Sequence, residues 1–295
     1  MFDGIRQKGK SGGVLHIVAT PIGNLEDITL RALRVLKEAD WIAAEDTRRT
    51  RKLLSHYGIS KRMESLHGDV ERMKTEKILR AVSEGCRVAI VSDAGTPGAS
   101  DPGGAVVRAA VEAGLRVEPV PGASAIVAAV SVAGIKGSRF AFEGFLPRQR
   151  SKRKEILEKY RGDGRAVVFF ESPKRVKETL EDVYGVLGDR NVAISRELTK
   201  LHETIVRTRL ERVAGGAVEL PERGEYTIVV EGADEKIRSV DGEEVSRVVE
   251  ILLGGGMSGR GAAAAAAELL GVPRKAAYGE VLKLKRRGKD KAVES

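Results

Sequence analysis

Two α/β lobes with a cleft between them, followed by a small helical module, is the architecture this sequence predicts, and three observations predict it. Over residues 14–120, short apolar runs alternate with helical periods in a βαβα rhythm. After a break in character at residues 137–153, a second and shorter set of apolar runs follows. Beyond Gly232 only helical patterns remain.

The first lobe opens with an apolar run at 15–19, a helix through Leu30, Leu33 and Leu36, a run at 41–44 and a helix through Leu53 and Leu54. It continues with Ile78, Leu79 and Val82 on a helix, a run at 88–91, Val106, Val107 and Ala110 on the next helix, and a run at 117–120. Such alternation predicts a parallel or mostly parallel sheet covered by helices on both faces. A PGAS turn at 121–124 then starts a helix of small residues at 125–132, whose alanines allow close backbone approach. Phe140, Phe142 and Phe145 alternate before Pro147 and a basic group, and the lobe boundary is placed there. The second lobe has runs at 166–170, 192–195 and 226–231 with a helix through Val176, Leu180 and Val183. The expected units are thus a disordered tail over 1–13, lobes over 14–138 and 139–232, and a helical module over 241–288 that resembles a helix-turn-helix.

The most informative stretch is RVAIVSDAGTPGASDP at 87–102, where an apolar run stops at an acidic, glycine-bearing turn. Open α/β sheets bind ligands at the carboxyl ends of their strands, where loops expose unpaired backbone groups to a crevice. The turn holds no lysine and Asp93 repels phosphate, so a cationic or polar adenosyl ligand fits better than a polyphosphate. Polar turns recur at three further run ends: Glu45-Asp46-Thr47-Arg48, Glu171-Ser172-Pro173-Lys174-Arg175 and Arg196-Glu197-Leu198-Thr199-Lys200. One such turn is usually a connection, and Asp46 equally suits a helix cap, but four of them line one crevice.

Composition excludes several classes. One cysteine, Cys86, and four scattered histidines offer neither a disulfide nor a ligand spacing for metal, which suits a reducing cytosol. No apolar run is long enough to cross a bilayer, and the opening residues lack the apolar core of a signal peptide. The segment 254–259 matches G-x-G-x-x-G but follows a helical pattern, so it is read as an interhelical turn rather than a dinucleotide fingerprint. Lys and Arg total 51 against 42 Asp and Glu, a net charge of +9. The excess is grouped: Arg48, Arg49, Arg51 and Lys52; then Arg148, Arg150, Lys152, Arg153 and Lys154; then Lys283, Lys285, Arg286, Arg287 and Lys289. Single groups often just solvate a helix, whereas three together favour a nucleic-acid partner.

Seven motifs in order give the chain a resemblance to the tetrapyrrole methylase superfamily, and within it to the branch that methylates ribosomal RNA. They are VATPIGNLEDIT at 18–29, AEDTRRTRKLL at 44–54, SDAGTPGASDPG at 92–103, PGASA at 121–125, FEGFLPR at 142–148, ESPKR at 171–175 and ELTK at 197–200. The resemblance implies S-adenosylmethionine held between the lobes, 2′-O-methylation of a cytidine in the decoding region of 16S rRNA, and a cytoplasmic homodimer acting on rRNA or the 30S subunit rather than DNA. Carried over by motif, the cofactor meets Asp93, Ala94, Gly95, Thr96, Ser124, Ala125, Phe170, Glu171, Ser172, Leu198, Thr199, Tyr226 and Thr227. Candidates for the base that takes the ribose proton are Asp46, Glu171, Glu197 and Lys200. Arg48, Arg148, Arg150, Arg175 and Arg196 are candidates for phosphate contact, since the guanidinium fork matches phosphate oxygens. Lys174 stands where the family usually has histidine, which keeps a cation but removes a group titrating near neutrality. Two other readings stand beside this one: a small-molecule methylase acting on a tetrapyrrole, and a non-enzymatic nucleic-acid regulator using the C-terminal helices.

Overall fold

In the computed structural model the first lobe is a five-stranded sheet whose strands all run parallel, in the order β3-β2-β4-β1-β5. The described residues are 12–66, 71–98, 103–136, 139–233, 242–270, 272 and 274–293, with backbone alone for 71–72, 242–243 and 285–293. The strands are β1 Val14–Val18, β2 Trp41–Ala44, β3 Met63–Ser65, β4 Arg87–Val91 and β5 Val117–Val120. The helices are α1 Leu30–Glu38, α2 Thr47–His56, α3 Glu71–Ser83, α4 Gly104–Glu112 and α5 Ala125–Val132. Period-two alternation on β4 explains why its run is unbroken: Ala89 and Val91 join one core with Leu36, Ile42 and Leu54, while Val88 and Ile90 join the opposite core with Leu15, Ile78 and Val106. Two of the helices start on side-chain caps. Thr29 Oγ1 accepts from Ala32 N–H at 3.0 Å to start α1, and Asp46 Oδ1 accepts from Arg48 N–H at 2.7 Å to start α2.

The second sheet has the order β6-β7-β10-β8-β9, with β6 Phe140–Phe145, β7 Ala166–Glu171, β8 Asn191–Arg196, β9 Thr204–Arg209 and β10 Tyr226–Val230. Only β6 and β7 pair in parallel; the other three pairings are antiparallel. One face packs on α7 Val176–Leu187, α6 Arg150–Glu158 and α8 Leu210–Ala214 through Phe169, Leu180, Ile194 and Ile228. The other face carries Val168, Ala193 and Val229, which pack against Ala129 of α5, Ala133 just after it, and Ile22. The small residues of α5 therefore serve the second sheet, and residues through Gly232 form one unit.

Strands β3 and β9 and helices α6 and α8 were not anticipated. β9, TIVRTR, is half-buried at an edge and carries two apolar residues. α6 was hidden inside the second basic group, of which Arg153 turns inward while Arg148, Arg150 and Lys152 stay exposed. Arg153 is 0% exposed and donates to Asp182 Oδ2 at 2.5 and 2.9 Å, with Arg150 Nε at 2.7 Å and Lys154 at 3.5 Å on the other oxygen. Burial works against both charges, yet the hydrogen bonds prevail, holding Arg153 protonated and Asp182 below the usual carboxylate range.

Residues 233–295 form the second unit. Its helices are α9 Gly242–Gly254, α10 Gly259–Leu270 and α11 Arg274–Val293, packed through Val249, Ala266, Ala277 and Val281. Ala262, Ala263, Ala266 and Ala267 share one buried face of α10, as helical spacing dictates. The expected tail over 1–13 falls outside the described residues except for Gly12 and Gly13, as do the side chains of Lys285, Arg286, Arg287 and Lys289.

Candidate cofactor cleft and its neighbour

Because β1, β2, β4 and β5 are parallel, their carboxyl ends share one edge of the sheet, and the loops after them form one wall of a cleft. Thr20 and Gly95 exchange backbone hydrogen bonds of 2.8 and 3.0 Å, which fastens the loop after β1 to the turn after β4. Gly95 turns in the left-handed region at φ +81°, and an added Cβ there stands 3.3 Å from Ile22 Cγ2, so the position calls for glycine. The opposite wall is the end of β7 beside the start of β10, where antiparallel register sets Glu171 against Tyr226 and Phe170 against Thr227.

Between the walls lies a cavity of about 350 Å³. Of the residues expected to meet the cofactor, Ala94, Gly95, Thr96, Ser124, Ala125, Phe170, Glu171, Ser172, Leu198, Tyr226 and Thr227 line it. Asp93 and Thr199 do not. Asp93 faces a second cavity of about 280 Å³, where its oxygens take Asp46 N–H at 3.0 Å and Arg49 at 3.4 Å. Thr199 Oγ1 accepts from Asn24 N–H at 3.1 Å, and its own N–H donates to Glu203 at 2.6 Å. The two cavities share Ile22, Ala94 and Glu225.

The four candidate bases are all engaged. Asp46 caps α2 and lines neither cavity. Glu171, 1% exposed, accepts from Ser172 N–H at 2.7 Å and Thr179 Oγ1 at 2.8 Å, with Arg175 at 3.3 Å. Glu197 accepts from Lys200 Nζ at 2.8 Å and Glu225 N–H at 3.0 Å; the lysine bond above all draws its carboxyl below the usual range, and it lines neither cavity. Lys200 lines the second cavity, and its role as a base is corrected. Burial opposes its charge, but Glu197 and Glu225, the latter at 2.9 Å, outweigh that and raise its pKa, so the amine stays protonated.

The arginines divide as well. Arg48 and Arg148 are exposed. Arg175 Nη2 donates to the carbonyls of Leu146 and Pro147 at 3.0 and 3.1 Å, and Arg150 Nε donates to Asp182 at 2.7 Å while most of its side chain stays exposed. Arg196 is half-buried, and its Nε has no partner among the described residues. No group of three or more metal-ligating side chains occurs among the described residues.

A family model described as Tetrapyrrole (Corrin/Porphyrin) Methylases matches residues 14–214, the stretch that builds both walls. The chain belongs to the tetrapyrrole methylases. A second model, described as RsmI C-terminal HTH domain, matches residues 239–285. Among curated tetrapyrrole methylases the chain is 44% identical over 273 residues to Ribosomal RNA small subunit methyltransferase I of Haemophilus influenzae, covering 90% of this chain and 95% of that one. It is 46% identical over 231 residues to the protein of the same name from Halalkalibacterium halodurans, covering 78% and 80%. Among solved structures the methyltransferase CobJ aligns with a TM-score of 0.58 at 21% identity, covering 76% of this chain and 95% of that one. A uroporphyrin-III C-methyltransferase from Thermus thermophilus, complexed with S-adenyl homocysteine, aligns at 0.53 and 22%, covering 74% and 97%. Likeness at those identities shows the shared methylase fold.

Within this methylase fold, Ile22, Ile126, Phe145, Pro173, Gly224 and Glu225 also line the larger cavity and were not picked out in the sequence. Phe145 had a signal: it ends the alternation Phe140, Phe142, Phe145, yet it is 60% exposed and packs against Phe170 with ring centroids 5.6 Å apart. Glu225 was passed over, standing at the end of a polar loop just before the run that begins at Tyr226.

Proposed function

We propose that this methylase transfers a methyl group from S-adenosylmethionine to the 2′-hydroxyl of a cytidine in the decoding region of small-subunit rRNA. The observation that carries the reading is the identity to ribosomal RNA methyltransferases along 90% of the chain, including the C-terminal helices. Small-subunit rRNA, either free or within the 30S subunit, is the proposed substrate, and a cytoplasmic homodimer the proposed working form.

The larger cavity fits the methyl donor on its own chemistry. Its lining contains two carboxylate residues, Glu171 and Glu225, and no lysine or arginine, which favours a sulfonium and disfavours a polyphosphate. Its volume lies in the range of small-ligand sites. Ala94, Gly95 and Thr96 on one wall and Phe170, Leu198 and Tyr226 on the other would hold the adenosyl and amino-acid parts. When bound, the donor supplies an already activated methyl group, so the chain's task is chiefly alignment. Ser172, Thr179 and Arg175 hold the Glu171 carboxyl in place in the wall.

Two measurements test this. Nucleoside analysis of 16S rRNA from cells with and without the protein is expected to show one 2′-O-methylcytidine present only with it; a methylated base or an unchanged profile refutes the reading. Phe145→Ala is expected to weaken donor binding about tenfold, or about 1.4 kcal/mol, by removing an aromatic wall. Because that ring is largely exposed, the melting temperature should stay unchanged. Equal affinity by calorimetry removes Phe145 from the donor site.

A further inference from the structure

Among the described residues Glu225 is the one titratable group that lines both cavities. We propose that the smaller cavity receives the acceptor nucleotide, with Glu225 as the catalytic residue that takes the ribose proton and Lys52 as the contact to a flanking phosphate. This rests on the methyl-transfer reading above and adds to it the acceptor's place and the proton's destination.

With the donor in the larger cavity, an acceptor must approach through a space that opens onto it, and the smaller cavity does so at Ile22, Ala94 and Glu225. The competing carboxylates there are spent. Glu171 is saturated within the wall, and both oxygens of Asp93 are engaged by Asp46 N–H and Arg49. Glu225 is different: Oε2 takes Lys200 at 2.9 Å, while Oε1 has no partner among the described residues. Lys200, tethered also to Glu197, is a positioning residue that fixes the carboxylate at the junction. Lys52 lines the smaller cavity, is exposed and has no carboxylate partner among the described residues, so its charge is available to a phosphodiester.

The proton balance suits a carboxylate. A lone pair of the ribose oxygen forms the oxygen–carbon bond as the carbon–sulfur bond breaks and sulfur keeps that electron pair. The attacked oxygen becomes positively charged and strongly acidic, and its proton passes to Glu225 Oε1. A proton acceptor in place at the end of the transfer is enough; a strong base at the start is not required.

The test uses the full-length protein, purified 30S subunits and labelled donor under single-turnover conditions. Glu225→Gln is expected to slow transfer by about a hundredfold or more. S-adenosylhomocysteine carries no sulfonium charge, so its affinity by calorimetry should fall far less than the rate, by no more than about tenfold or about 1.4 kcal/mol. Lys200→Arg, which keeps the tether, should retain more rate than Lys200→Met. In filter binding with S-adenosylhomocysteine present, Lys52→Met is expected to weaken subunit binding and to reduce the slope of log K against log salt by about one. Wild-type transfer with a Glu225→Gln rate within threefold overturns this proposal alone, as does an unaltered salt slope for Lys52→Met. A wild type that methylates no rRNA overturns it together with the functional reading.

Discussion

Gly23→Ala is expected to lower the methyl-transfer rate by about a hundredfold, because it forces apart the two loops that meet at the mouth of the cleft. An added Cβ at Gly23 stands 2.5 Å from Lys200 Cγ, 2.7 Å from Thr199 Oγ1 and 2.9 Å from the carbonyl oxygen of Leu198. The first of these is mid-chain in its side chain and the last is backbone, so relief requires the segment 198–200 to move as a piece. That segment has little room, since Thr199 is held by Asn24 N–H and Glu203, and Glu197 and Thr199 already sit in the left-handed region at φ +54° and +65°. A misplacement of about 1 Å near reacting groups costs on the order of a hundredfold, while overpacking costs about 1–3 kcal/mol of stability. Single-turnover transfer and urea unfolding measure the two effects separately. A variant with wild-type rate shows that the contact between these loops does not set the geometry of the site.

Asp182→Ala is expected to destabilise the first unit by about 3–5 kcal/mol, since it strands a buried guanidinium. Arg153 and the Asp182 side chain are both 0% exposed, and without the carboxylate Arg153 keeps only Glu178 at 2.6 Å and the carbonyls of Pro147 and Arg148 at 3.3 Å. Glu178 is largely exposed, so Glu178→Gln should cost no more than about 1 kcal/mol. The pH dependence follows from the lowered pKa of Asp182. Its contribution is complete above the unfolded-state carboxylate pKa and is lost as pH falls through the lower folded-state value. Wild type should therefore lose stability in acid faster than Asp182→Asn. Urea midpoints measured from neutral pH down into the acid range decide this, and parallel curves for the two proteins refute it.

The contrast between β4 and Arg153 shows what the sequence made legible. Residues 88–91 read plainly as a strand because β4 is central and buried on both faces, so every position had to be apolar. The first lobe's βαβα order was visible for the same reason, and so was much of the lining of the larger cavity, which sits at strand ends marked by abrupt polar turns. Arg153 looked like one cation among five because its neutralising partner is 29 residues away on another helix. Charge groups are local in sequence, whereas their compensation is tertiary. Edge strand β9 was missed for a related reason: a strand with one solvated side shows only a weak alternation. Glu225 was invisible because its significance is a shared border between two cavities, a property of folded geometry rather than of any motif.

The strand order of the second sheet bears on how the chain is made. β10, the last strand of that lobe, lies between β7 and β8, with β7 paired to it on one side and β8 on the other. During vectorial synthesis the half-sheets β6-β7 and β8-β9 emerge first, each with an open inner edge, and neither can be joined until Tyr226–Val230 leaves the ribosome. The same five residues bring Tyr226 and Thr227 to the larger cavity. Closure of the lobe and completion of that cavity wall are thus one event, so a nascent chain lacks a finished cavity until its sheet is sealed.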